Sequence, residues 1–172
     1  IPFGHDNTDD NIDIDDRIFF EKIHEILSNK KNTIIGQNIK YDMSILEKYG
    51  VTLAGTLEDT MILSYIYNSS GRHDLDTLSN KYLNHPTTKY EDVVGSGAKQ
   101  RNFSEIEVSI GSAYACEDAD ITFQLYNFFM DKMKKLNKQL SLYKKIERPL
   151  SNVIQRVENN GVNIDAKSLS NQ

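Results

Sequence analysis

The sequence predicts an α/β fold in which helices outweigh strands. Two short apolar segments, 32–35 and 52–57, alternate with helical patterns in the order strand, helix, strand, helix, and several helices follow. The strongest helical pattern is a long stretch from about 104 to 130. Alternation of strands and helices is typical of α/β domains.

Composition narrows the class of protein. The 172 residues suffice for one domain with a real core, and 38% apolar with 26% charged residues is ordinary for a soluble globular protein. A single cysteine, Cys116, excludes an internal disulfide framework and fits a reducing cytosol. The net charge of -5 argues against binding nucleic acid through bulk charge, but it allows an acidic site that does so through metals. No apolar run reaches transmembrane length, so we expect no membrane partner.

The first half of the chain divides into short elements. Residues 1–16 form a polar, Asp-rich lead-in, with Asp15 or Asp16 capping a helix over 17–28. The strand 32–35 ends at Gly36, and a second helix then runs from about Ile39 to a stop at Gly50. After the strand 52–57, Asp59 caps a third helix, 75–83 form a fourth, and 84–103 are mostly loop.

The second half is helical. A long helix begins at about Ser104 as its N-cap and ends near Met130. A basic, solvated helical stretch follows, containing Lys132, Lys134, Lys135, Lys138, Lys144 and Lys145. Pro149 suits the first turn of another helix, and a short strand is expected at 162–164. The inward residues of that helix are predicted to be Val153, Ile154 and Val157. We place a domain change at 130–148.

Tyr114 and Asp118 are the first candidates for chemistry. They share one predicted face of the long helix with the apolar residues Ile110, Ile121, Leu125 and Phe128. An ionised Asp on such a face is costly unless something binds it, and a divalent metal is the usual solution. The alternative is that Tyr114 is a core aromatic residue with its hydroxyl at the rim, while Asp118 pairs with a Lys or Arg. Cys116 points away from this face and is predicted to be buried.

The segment from Asn38 to Asp42 is the second candidate. It lies between a strand end and a helix start, where α/β folds place ligands. Asp42 could be a second carboxylate that faces a metal. The alternative is that Asp42 only favours the helix dipole in the first turn.

Two more residues have a plausible contact with nucleic acid. Arg72 follows Gly71 in an exposed turn and suits a phosphate, although a charge cluster at a helix start is at least as simple. Tyr90 could stack on a base, or it could cover the core.

Taken together, these segments resemble one family. The resemblance rests on 36–42, 59–61, 71–76 and 114–120, which occur in order, and on 147–150 and 156–165. The first four resemble the proofreading 3′–5′ exonuclease domain of the bacterial family A DNA polymerases, and the last two resemble the start of the polymerase region. The resemblance implies that 1–130 form a partial exonuclease domain and that 131–172 form linker helices and the start of the polymerase domain.

The family's properties become expectations for this chain. The fold implied is ribonuclease-H-like, without its first strands, and the activity is two-metal hydrolysis of the last phosphodiester at a single-stranded DNA 3′ end. The cofactors implied are two divalent ions, Mg²⁺ with Mn²⁺ or Zn²⁺ as alternatives. Asp118 is implied to bind the metal that activates water, Tyr114 to orient that water, and Asp42 to support the second metal. The residues implied to cradle the DNA are Gln37, Asn38, Tyr41, Met61, Arg72 and Tyr90.

One motif of the family is absent. Its first motif is an Asp-x-Glu on the first strand of the domain, and none of the 172 residues supplies one. We therefore expect a piece of a longer, monomeric bacterial polymerase, whose other partner is the rest of that cytoplasmic polypeptide. The parent is expected to proofread, and the piece alone is expected to be inactive.

Two other functions fit the same residues. A ribonuclease-D-like exoribonuclease shares the Tyr-x-x-x-Asp chemistry, although a helical RNA-binding module should then follow. A non-catalytic scaffold that supports a polymerase would have lost its metals.

Overall fold

The computed structural model describes residues 4–6 and 17–170. The remaining residues of the predicted lead-in, including the proposed caps Asp15 and Asp16, lie outside the described residues. Two strands are present in this part of the chain, β1 (Thr33–Gly36) and β2 (Thr56–Asp59). The helices are α1 (Arg17–Leu27), α2 (Ile39–Lys48), α3 (Thr60–Tyr67), α4 (Leu75–Leu78), α5 (Tyr90–Val94), α6 (Val108–Met133), α7 (Asn137–Leu142), α8 (Arg148–Asn159) and α9 (Ala166–Ser170). The fold is thus mixed α/β and mostly helical, as predicted.

The two strands lie side by side and run parallel. Their register pairs Thr33 with Thr56 and Gly36 with Asp59, so both strands end at the same edge. A parallel pair needs a crossover, and α2 with its following loop provides it. The carboxyl ends of β1 and β2 therefore lie next to the starts of α2 and α3.

The main core lies between α3, α4 and the second half of α6. Ile121, Leu125, Phe129 and Met133 recur every four residues on one face of α6, and each is at most 2% exposed. Leu63 of α3 and Leu78 of α4 pack against them. None of the helices within 4–6 and 17–170 is long and apolar enough to span a membrane.

A buried polar cluster joins the C-terminal helices to β2. Tyr143, in a π-helical turn between α7 and α8, is fully buried. Its hydroxyl donates to Oε2 of Glu58 at 2.7 Å and accepts from the amide of Asp59 at 3.0 Å. Arg148 donates to the other oxygen of Glu58, also at 2.7 Å. Glu58 is only 4% exposed, so these partners compensate for the burial of its charge.

Helix α8 turns its polar side inward. Gln155 is buried and donates to Glu47 of α2 at 2.7 Å, and Lys40 forms an ion pair with Glu158. The prediction that Val153, Ile154 and Val157 face inward is wrong, because they are 44%, 39% and 61% exposed. These polar contacts with α2 fix the rotation of α8.

Several boundaries differ from the prediction. Strand β2 begins at Thr56 rather than at 52, and residues 162–164 form no strand. The predicted loop 84–103 contains the short helix α5. Helix α6 begins at Val108 rather than near Ser104, because Phe103–Glu105 close a separate 3₁₀ turn.

Candidate active site

A cavity of about 610 Å³ opens at the carboxyl end of β1. Asp42, from the first turn of α2, and Asp118, from the first half of α6, both line it. The structure therefore brings together two carboxylates that are 76 positions apart in the numbering. The other residues that line the cavity are Ile35, Gly36, Gln37, Leu75, Ala119, Thr122 and Phe123.

The environment of Asp42 disfavours the negative charge of its carboxylate. The side chain keeps contact with solvent, but the surrounding protein removes enough water to raise the pKa of its carboxyl. The neighbouring charge of Asp59 raises this pKa further, and a hydrogen bond from the residue's own backbone opposes the shift. A cation in the cavity would relieve this cost.

Asp118 has a similar environment and a phenol as its partner. Burial raises the pKa of Asp118, while a hydrogen bond from Tyr114 lowers it. Burial and the adjacent carboxylate raise the pKa of Tyr114, so its hydroxyl stays protonated. No ion pair between Asp118 and a Lys or Arg occurs in the described part of the chain, so the alternative role for Asp118 has no support there.

The predicted apolar face of the long helix is only partly correct. Ile121 and Leu125 are buried, and Phe128 is partly buried against the core. Ile110 is 49% exposed, because the first half of α6 lies outside the main core. Cys116 is exposed in this half, so the prediction that it is buried is wrong.

A further carboxylate, Asp76, acts on the site through its charge. It raises the pKa of both Tyr114 and Asp118, and Thr87 donates to it at 2.8 Å. The sequence analysis contained Asp76 only within the segment 71–76 and gave it no role of its own. Its effect depends on the packing of α4 against α6.

The residues of the cavity fit a divalent cation in type. Carboxylate oxygens are hard ligands of the kind that Mg²⁺ prefers, and within 4–6 and 17–170 neither carboxylate forms an ion pair. They fall short in number, because no group of three His, Cys, Asp or Glu residues within 4–6 and 17–170 could hold an ion. Asp42 and Asp118 would thus supply only some of the oxygen ligands that such an ion needs.

The loop between β1 and α2 is fixed by hydrogen bonds. Thr60 donates to Oε1 of Gln37 at 2.5 Å, and Nε2 of Gln37 donates to the carbonyl of His73 at 2.7 Å. Asn38 has left-handed backbone angles, φ 57 and ψ 49, and its amide donates to Asp59. The side chain of Asn38 makes no capping hydrogen bond to α2.

Three predicted DNA contacts surround this loop. Tyr41 is 65% exposed on α2, next to Asp42. Met61 is partly buried in the first turn of α3, where its amide donates to Asp59. Arg72 is exposed, and its Nε donates to Asp74 at 2.9 Å, so the rest of its guanidinium faces solvent.

Tyr90 lies in an aromatic cluster beside Tyr114. Its ring stacks on Phe103 with centroids 6.2 Å apart, and it meets Tyr114 edge to face at 6.2 Å. The ring of Tyr90 is 44% exposed. The structure thus brings Tyr90 next to Tyr114, with part of its ring open to solvent.

Comparison with known proteins identifies the family. A family model described as 3′–5′ exonuclease matches residues 2–134. DNA polymerase I of Pseudomonas aeruginosa is 34% identical over the whole chain, and DNA polymerase I of Borreliella burgdorferi is 39% identical over 89% of it. The DNA polymerase of Escherichia phage T5 is 31% identical over 86% of it. The chain spans 17–19% of the length of these relatives. It therefore belongs to the 3′–5′ exonuclease family.

Proposed function

We propose that this chain is the proofreading segment of a family A DNA polymerase. The reaction is hydrolysis of the last phosphodiester at the 3′ end of single-stranded DNA. The observation that carries the proposal is that Asp42 and Asp118 line one cavity and form no ion pair with a described residue. The relatives support it, since they carry the name DNA polymerase.

Asp42 and Asp118 would hold divalent metal at this site. Mg²⁺ is the expected ion, with Mn²⁺ or Zn²⁺ as alternatives. When bound, such an ion makes water more acidic and neutralises charge on the phosphate oxygens. The role assigned to Tyr114 is to orient the attacking water, which its position beside Asp118 on the same helix would allow.

Two carboxylates are too few for the two ions of the proposed mechanism. Two ions about 4 Å apart need several anionic oxygens around them. The 172 residues contain no Asp-x-Glu, so we propose that the remaining ligands come from outside them. By the same proposal the fold is ribonuclease-H-like, and further strands complete the sheet beside β1.

The DNA 3′ end is proposed to lie along the rim of this cavity. Gln37, Asn38 and Tyr41 would contact it from the β1–α2 loop, and Met61 and Arg72 from the neighbouring α3 and the turn before α4. Tyr90 would stack on a base beside Tyr114. Stacking on aromatic rings and hydrogen bonds of this kind bind a single strand through individual side chains.

The remaining segment is proposed to lead into the polymerase. Residues 131–172 then form linker helices and the start of the polymerase domain, after the family match ends at 134. We further propose that the parent is a monomer that acts on DNA in the bacterial cytoplasm.

A single-strand digestion assay distinguishes this function from its alternatives. The polypeptide that contains this chain is incubated with 5′-labelled DNA or RNA of the same sequence and Mg²⁺. The proposal predicts stepwise shortening of the DNA from its 3′ end. Preferential digestion of RNA would favour a ribonuclease-D-like enzyme, and digestion of neither would favour a non-catalytic scaffold.

A further inference from the structure

The carboxylate of Asp59 serves two helices at once. Asp59 is the last residue of β2, it is 3% exposed, and it is the N-cap of α3. Its oxygens also accept hydrogen bonds from the β1–α2 loop, which contains no part of α3. The role inferred for Asp59 rests on the proposed function, because it concerns the placement of Asp42.

The hydrogen bonds divide between the two helices. Oδ1 accepts from the amides of Met61 and Ile62 in α3, at 2.9 Å and 3.3 Å. Oδ1 also accepts from the amide of Asn38 at 3.2 Å, and Oδ2 accepts from Ile39 at 3.0 Å. Bonds to a charged acceptor are stronger than neutral ones, and helix N-termini favour negative charge.

The first amides of α2 are capped by the carboxylate of Asp59, which belongs to β2. Asn38 is its N-cap residue, yet the side chain of Asn38 makes no capping hydrogen bond. Asn38 also has the left-handed backbone φ of 57, which is uncommon for a residue other than glycine. Asp42 lies in the first turn of α2, three residues after Ile39, whose amide Asp59 holds.

We propose that Asp59 is a positioning residue, which fixes the left-handed turn at Asn38 and thereby holds Asp42 at the cavity opposite Asp118. Asp59 does not line the cavity with them, and its hydrogen bonds reach α2 through Asn38 and Ile39, in addition to the effect of its charge on Asp42. Pairing of Gly36 with Asp59 in the sheet register explains why the carboxylate reaches the loop from the neighbouring strand.

Two substitutions separate the cap of α3 from the support of α2. Asp59→Ser retains an ordinary N-cap for α3, but its single short hydroxyl leaves Asn38 and Ile39 without their acceptor. Asp59→Asn keeps the shape and one acceptor oxygen, but places an NH₂ group against the Ile39 amide. Asp165→Asn is the matched control, because Asp165 caps α9 alone through Lys167 and Ser168.

The measurement is NMR on the 172-residue chain, first without metal and then with Mn²⁺. In both Asp59 variants the Ile39 amide should exchange with solvent about tenfold faster or more, while the Met61 and Ile62 amides keep their protection. Broadening of the Asp42 and Asp118 amides, which line one cavity, should need several-fold more Mn²⁺ in both Asp59 variants. Asp165→Asn should match the wild type in every respect.

Two results would overturn the inference. Unchanged exchange at Ile39 in either variant would show that Asp59 does not hold α2. Loss of protection throughout the chain in both variants would assign Asp59 to fold stability alone.

A separate result bears on the proposed function. Absence of Mn²⁺ broadening in the wild type would count against the proposed metal site, while the metal-free exchange would still decide whether Asp59 fixes the turn.

Discussion

The hydroxyl of Tyr143 lies 2.7 Å from Oε2 of Glu58, inside the protein. The same oxygen of Tyr143 accepts from the amide of Asp59, whose carboxylate caps α2 and α3. Tyr143, which follows α7, is therefore linked to the start of α3 through Asp59, whose amide donates to Tyr143 and whose carboxylate accepts from Met61. This relationship ties the C-terminal helices to the edge of the sheet where the candidate site lies.

Tyr143→Phe should destabilise the chain by about 1–3 kcal/mol, because it leaves a buried acceptor on Glu58 and a buried amide at Asp59 without partners. Urea unfolding followed by circular dichroism measures the change. Tyr65→Phe is the control, since Tyr65 is 57% exposed and should change stability little. Equal effects of the two substitutions would show that the buried hydroxyl adds nothing.

The metal-free chain should gain stability from its site carboxylates on acidification. The pKa values of Asp42 and Asp118 are raised in the fold, so their charged forms oppose folding at neutral pH. That penalty disappears as the pH falls through the raised values toward the ordinary range of an Asp carboxyl. The exposed groups Asp74 and Glu117, whose pKa values are lowered, act in the opposite direction.

Substitution isolates this contribution from the rest of the titration. The double variant Asp42→Asn/Asp118→Asn should be more stable than the wild type at pH 7 without metal, by a margin that solvent screening at the exposed Asp42 keeps small. The difference should shrink as the pH is lowered, in urea unfolding at a series of pH values. Asp120→Asn is the control on the same helix. A stability difference between variant and wild type that grows on acidification would contradict the raised pKa values of Asp42 and Asp118.

The local pattern predicted the elements but not their orientation. Helical spacing and Gly50 were enough to place α1 and α2 within a residue or two. The rotation of α8 was not predictable from apolar spacing, since the contacts of Gln155 with Glu47 outweigh the burial of three apolar side chains. Polar contacts between distant segments leave no periodic signal in the sequence.

The site could be predicted only through residues with a recognisable motif. Asp42, Tyr114 and Asp118 were candidates from their spacing. In the structure Asp42 and Asp118 line one cavity, and Tyr114 lies beside Asp118. The second role of Asp59 was not visible, because an N-cap pattern accounts for α3 but says nothing about a neighbouring loop. Asp76 was missed for a related reason, since its effect depends on how α4 packs on α6.

The 172-residue chain alone should not release nucleotides from DNA, because Asp42 and Asp118 supply too few ligands for two ions. The test is incubation with a 5′-labelled single strand and Mg²⁺, followed by gel analysis of the shortened products. The polypeptide that contains the chain serves as the positive control. Vigorous release of mononucleotides by the 172 residues would show that they hold a complete site.

The most direct test of the central claim is mismatch excision by the polypeptide that contains this chain. A 5′-labelled primer with a mismatched 3′ end is annealed to its template, and excision and extension are measured for the wild type and for Asp118→Ala, with Asp120→Ala as the control. Loss of a metal ligand should slow excision about a thousandfold or more while extension continues at the normal rate. Excision by Asp118→Ala at the wild-type rate would contradict the assignment of Asp118 to the catalytic site.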